Sequence, residues 1–358
     1  MKTKFNLFLL AMFIVAVISS CKKEDNTVYK SAGPYANGAF ISNEGTFGMA
    51  NASVSYYDFA GDSVRNSIYT VVNKHPLGKL LQSIYITSGK AYMMLNLSDT
   101  VAVTTVDDFK ATGTITGLNS PRFMTSYNNK GYISEWGETG VVKVVDLSLN
   151  TVIRTVKVGT GPEGVLVAGG NILVCNGGAY TVDSTISVIN PANDQVSLTV
   201  QVGDNPKQMV IDRNNDIWVI CYGYIKYDTN FNIVKETPSK LVKLSGQSYQ
   251  KVSEFIISSS QHPQHIDISF DKSTIYYGGG FGYAGIYAMN ITATALPAAP
   301  LIPTRMFYGF NVNPANGDIY ALDATDYTNP GVLYRYSSLG ILIKHYTVGV
   351  APNGVAFN

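Results

Sequence analysis

The chain has 358 residues and carries 26 Lys and Arg against 25 Asp and Glu, a formal net charge of +1. Charge this balanced gives no bulk field for nucleic acid, and the length suits one large domain or two ordinary ones. Charged residues make up 14% while Gly (33) and Tyr (24) abound beside Thr, Ser and Asn, a mix for short strands and tight turns rather than amphipathic helices.

The N-terminus reads as a processing signal. Lys2 and Lys4 precede an apolar run from Phe5 to Ile18, which is short for a bilayer span and ends at Ser19 and Ser20. Ile18-Ser19-Ser20-Cys21 resembles a loose bacterial lipobox, which makes Cys21 the lipidated first residue of the mature chain; ordinary cleavage with a free Cys21 is the alternative. Lys22-Lys23-Glu24-Asp25 resembles the charged export signal of Bacteroidetes surface lipoproteins. Residues 1–20 are therefore expected to be a signal peptide, 21–36 a lipidated tether and 37–358 the folded domain. The expected location is the outer membrane, lipid-anchored and facing the outside.

Beyond the tether the chain repeats itself. Val158–Val167, Val202–Ile211 and Val348–Phe357 share the pattern Val-Gly-x-x-Pro. Weaker copies start at Gly117 and Gln261, and divergent ones run through Leu80–Ile86 and Pro303–Val312. Each copy leads through an Asn, Asp or Gly turn into a second apolar run, as Arg213–Asp216 leads into Ile217–Ile220. A third strand ends in a hydrophobe before Asp or Asn (Val142–Asp146, Ile186–Asn190), and a fourth follows (Val152–Val156, Val196–Val200). One repeat of roughly 40–45 residues is thus a four-stranded antiparallel blade, and the fold class is all-β, a seven-bladed β-propeller. The last copy stops after one strand, and Gly38–Asn43 is a second strand lacking a first. The C-terminal strand is expected to pair there and close the ring. Tyr222–Lys240 reads as an insertion. A β-sandwich or two β domains are the alternatives that the regular repeat disfavours. Cys175 and Cys221 occupy equivalent places in successive repeats, so two buried free thiols are expected.

In a propeller, the loops leading into the innermost strand and those leaving the second strand share one face. Here the second-strand exits offer Phe47, Trp136, Tyr180, Tyr222, Tyr224, Phe281, Tyr283 and Tyr327. The innermost-strand starts offer Arg122, Glu163, Lys207, His265, Arg305 and Asn353. Stiff aromatic surface with converging polar groups suits a ligand face, although such aromatics also pack neighbouring blades. Catalysis has little support. HExxH, Cys-x-x-Cys, GxSxG and P-loop patterns are absent, so no metal or cofactor is expected. Glu135 and Glu138 are a candidate carboxylate pair, and a solvated loop role suits them better than glycoside hydrolysis. His75 and His262 both precede Pro and read as structural.

The Val-Gly-x-x-Pro repeat, with its Asn-Asp turn and Ile-Trp-Val strand, resembles the YncE-like seven-bladed propellers over nearly the whole mature chain. The opening block Gly38–Asp58 is similar to that of a Bacteroidetes group of surface propeller lipoproteins, which includes the cobalamin-binding lipoprotein that caps the outer-membrane vitamin B12 transporter. This resemblance implies capture of a corrinoid on one face and its transfer to a TonB-dependent transporter beneath. No single motif in that group defines the ligand contacts. A glycan-binding surface protein and a scaffold for another envelope protein stay open as alternatives.

Overall fold

The computed structural model describes Tyr29, residues 31–137 and residues 140–358. Cys21 and the signal and anchor expectations, like Glu138, lie outside the described residues. Seven four-stranded antiparallel sheets form a seven-bladed propeller, as the repeat predicts. Blade 2 spans Leu81–Ile115, blade 3 Pro121–Lys157, blade 4 Pro162–Gln201, blade 5 Pro206–Ser258, blade 6 His265–Met306 and blade 7 Gly309–Val350. Blade 1 takes three strands from Gly38–Arg65 and its innermost strand, Pro352–Phe357, from the other end of the chain. The closing register runs from Ala39 opposite Phe357 to Asn43 opposite Pro352, as expected.

Turn chemistry sets the hairpins. Asn128 and Asn129 (φ 47° and 58°) join the first two strands of blade 3, and Gly169 and Gly170 (φ 55° and 76°) do so in blade 4. Two successive left-handed residues match the twist of the flanking strands. In blade 5 the Asp212 carboxylate accepts from Asn214 N and from the indole of buried Trp218, which ties the turn to the core.

The middle strands are apolar on both sides because every blade is covered by two neighbours. Seven hydrophobic clusters result, each straddling one blade interface. The pleat sorts the side chains: Ile172 and Val174 join the interface with blade 3, Leu173 and Cys175 the interface with blade 5. Cys175 and Cys221 are buried free thiols, as expected, and burial pushes the Cys221 thiol up to about 12. The insertion in blade 5 forms its own hairpin, Tyr224–Tyr227 against Ile233–Thr237.

One divergent repeat falls elsewhere than expected. Ile302–Met306 is the outermost strand of blade 6, and blade 7 begins its innermost strand at Gly309. Arg305 is therefore not at an innermost-strand start. Its guanidinium lies 4.3 Å from the Tyr334 ring centre, 3.3 Å from Asp323, on the outer part of the ring.

Candidate ligand-binding site

In five blades the residue before the innermost strand is left-handed: Leu80, Ser120, Gly161, Asn205 and Ala351, with φ between 50° and 54°. The next residue, Leu81 or a Pro, pairs with the second strand, and the register then slips. Such a bulge takes a residue out of the ladder and re-aims its side chain. The residues so placed are Gln82, Arg122, Glu163, Lys207 and Asn353. Gln264 and Tyr308 hold the matching place in blades 6 and 7, where their N–H groups donate to Gly279 O and Leu322 O. All seven, one per blade, line a single cavity of about 590 Å3 at one end of the propeller axis.

Glu163 organises half of this ring. Its carboxylate accepts from Arg122 Nε at 2.9 Å and Nη2 at 3.2 Å, and from Lys207 Nζ at 3.1 Å. Arg122 Nη1 also donates to Gln82 Oε1, so one polar chain joins blades 2 to 5. Burial alone raises the Glu163 carboxyl, but Arg122 and Lys207 outweigh it and hold the group below the usual carboxylate range. Across the mouth, Glu44 accepts from the Tyr308 hydroxyl at 3.1 Å and from Asn353 Nδ2 at 2.9 Å. Burial raises its pKa, partly offset by Asn353, Arg122 and Tyr308. His265 lines the same wall, and burial pushes its imidazole down to about 4, so it is neutral at pH 7. The two cations are spent within the cavity on Glu163. By contrast the amide N–H groups of Gln82, Gln208 and Gln264 have no protein acceptor among the described residues.

The rim is aromatic. Phe47 and Tyr180 are 80% and 90% exposed and line the mouth with Trp136. One side of the Trp136 indole is occupied by the Arg122 guanidinium at 4.1 Å, and Tyr180 stands roughly perpendicular to it with ring centres 5.3 Å apart. Of the residues singled out from sequence, Phe47, Arg122, Trp136, Glu163, Tyr180, Lys207, His265 and Asn353 come together here. Tyr327 and the exposed Phe281 extend an aromatic arc outward from Tyr308, with ring centres 5.1 and 6.4 Å apart along it. Tyr222 lies behind Lys207 and covers His262, while Tyr224 sits at the base of the blade 5 hairpin. Tyr283 is only 3% exposed and packs on Tyr287, so it is a core residue. Glu135 points away from the cavity: Oε1 accepts from Asn119 N at 2.8 Å, and burial pushes its pKa up to about 7. Gln82, Glu44, Gln264 and Tyr308 are cavity residues that sequence reading passed over.

Fold and site together define a seven-bladed propeller with an aromatic-rimmed polar cavity on its axis. Residues 37–350 match the family described as Domain of unknown function (DUF5074), and the chain belongs to that family. No curated protein matches the chain. Among solved structures, a putative 6-phosphogluconolactonase from Bacteroides uniformis is similar at 14% identity and a TM-score of 0.66, over 90% of this chain and 99% of its own. A Quinonprotein alcohol dehydrogenase-like protein from Bacteroides thetaiotaomicron is similar at 13% identity and a TM-score of 0.64, over 90% of this chain and 78% of its own. A putative 6-phosphogluconolactonase from Bacteroides fragilis follows at 11% identity and 0.64, over 92% and 100%. At such identities these likenesses show the fold alone.

Proposed function

We propose that this protein is a binding propeller that captures a small molecule at the axial cavity and carries out no chemistry on it. The observation that carries this reading is the convergence of one bulged or equivalent side chain from every blade on one cavity, under a rim of exposed aromatics. A volume of about 590 Å3 falls within the range of small-molecule sites. The ligand class is a corrinoid, taken from the resemblance of the Gly38–Asp58 block. Two features of the cavity support it. The unspent amide N–H groups of Gln82, Gln208 and Gln264 suit the carbonyl oxygens of amide-bearing arms, and exposed Phe47 and Tyr180 suit the edge of a large ring that rests on the mouth. The cations offer little to a phosphate or carboxylate ligand, since Glu163 already holds both. Glycan stacking has a smaller platform, because Arg122 covers one side of Trp136 and Tyr283 is buried, which leaves Phe47 and Tyr180 as the well-exposed rings of the mouth.

On this reading the chain is anchored through Cys21 at the outer surface of the outer membrane and supplies a TonB-dependent transporter. The test is calorimetric titration of the chain from Lys22 onward with cyanocobalamin. Saturable binding at micromolar concentrations is expected. The absence of binding there, with retention on a glycan array, would replace the corrinoid with a carbohydrate.

A further inference from the structure

The blade 5 hairpin stands between the second and third strands of its blade, on the cavity side. Its outer half gives little apolar burial of its own: Phe231 is 86% exposed, and Tyr227, Ile233 and Val234 are more than half exposed. Its base is fastened instead by polar contacts. His262, 5% exposed and just before Pro263, places Nδ1 2.5 Å from Tyr222 O and Nε2 2.9 Å from Glu236 Oε1. A backbone carbonyl and a carboxylate only accept, so the ring satisfies both when both nitrogens carry protons. Loss of one proton turns a lone pair toward an oxygen. Thr237 adds a second tie, donating to Asp204 Oδ2 at 2.8 Å. The Tyr222 ring packs at a tilt of 38° against His262, with ring centres 4.9 Å apart, and its centre lies 5.8 Å from Lys207 Nζ, the ammonium that holds Glu163. A continuous run of contacts thus leads from the hairpin base to the cavity wall.

We propose that His262 and Glu236 are positioning residues that form a proton-held latch: it fixes the Tyr224–Thr237 hairpin and, through Tyr222, the Lys207 wall of the cavity, so that ligand capture tightens in acid and loosens in alkali. Glu236 and the Tyr222 phenol face the imidazole, Asp204 lies behind Thr237 and Lys207 beyond Tyr222. The effect on capture rests on the ligand reading above, whereas the latch does not.

Hydrogen exchange read by mass spectrometry over residues 224–237 tests it on the chain from Lys22 onward, at about pH 5.5 and about pH 8.5 so that a histidine changes charge between them. After correction for the chemical exchange rate, the hairpin should lose roughly tenfold protection at the higher pH, in keeping with one charge-assisted hydrogen bond. The Glu236→Gln variant, which leaves the buried ring in place, and His262→Gln should both show the same protection at the two pH values. Equal protection of the unmodified hairpin at both, or a full pH response in Glu236→Gln, would overturn the latch. Cyanocobalamin affinity at the two pH values separates the readings: weaker binding at the higher pH supports control of capture, and a lack of binding at either refutes the corrinoid while exchange still decides the latch.

Discussion

Glu163→Gln isolates the electrostatics of the cavity. The substitution keeps size and shape but leaves Arg122 and Lys207, with side chains 14% and 16% exposed, flanking a neutral amide. Removing one partner of a buried pair costs about 3–5 kcal/mol. Both cations border an open cavity and can turn toward solvent, so the low end, about 3 kcal/mol, applies. At about 2 °C per kcal/mol in a domain this large, the melting temperature should fall by about 6 °C at pH 7. Adding Lys207→Met removes one unpaired cation and should recover part of the loss. The sign with pH follows from Glu163 lying below its unfolded value: its contribution is complete above about pH 4.3 and disappears as pH falls through the folded pKa. The single variant and the parent should therefore converge in acid. Scanning calorimetry from acid to neutral pH measures all three; a shift under about 1 °C at pH 7, or a double variant no better than the single, would refute the paired-cation argument.

Other outcomes follow from the same geometry. Glu135 is raised to about 7 by burial, so its contribution is full below the unfolded carboxyl value and is lost as pH rises through 7; Glu135→Gln should flatten the decline in melting temperature across that window. Cys175 and Cys221, buried and with raised thiol pKa values, should stay silent to a thiol reagent in the folded chain from Lys22 onward and react fully in denaturant. Deleting residues 352–358 removes the innermost strand of blade 1 and bares the edge of Gly38–Asn43; size-exclusion chromatography and circular dichroism should then report aggregation and loss of the cooperative transition.

The blades were legible because strands covered on both sides must be apolar throughout, and because Pro and paired Asn or Gly mark their ends. The same Pro signalled Arg122, Glu163, Lys207 and Asn353, since each follows it directly into a bulge. Where Leu81 or Phe307 stands in place of Pro, the signal is missing: nothing local marks Gln82 or Tyr308, and the pattern points instead to Arg305, which lies on an outer strand. In blade 6 Pro263 marks the strand entry, and both Gln264 and His265 reach the cavity. Tyr283 looked like its loop neighbours, and only the three-dimensional packing on Tyr287 separates a core ring from a rim ring. Glu44 carries no local mark, because its place beside Tyr308 and Asn353 depends on ring closure across about 300 residues.

A crystal structure of the chain from Lys22 onward grown with cyanocobalamin tests the central claim most directly. The account predicts the corrinoid seated at the axial mouth, with amide arms reaching Gln82 and Gln264 and the ring edge against Phe47 and Tyr180. A corrinoid on the opposite face or the outer strands, with the cavity of the seven blade-start residues unchanged, would contradict it.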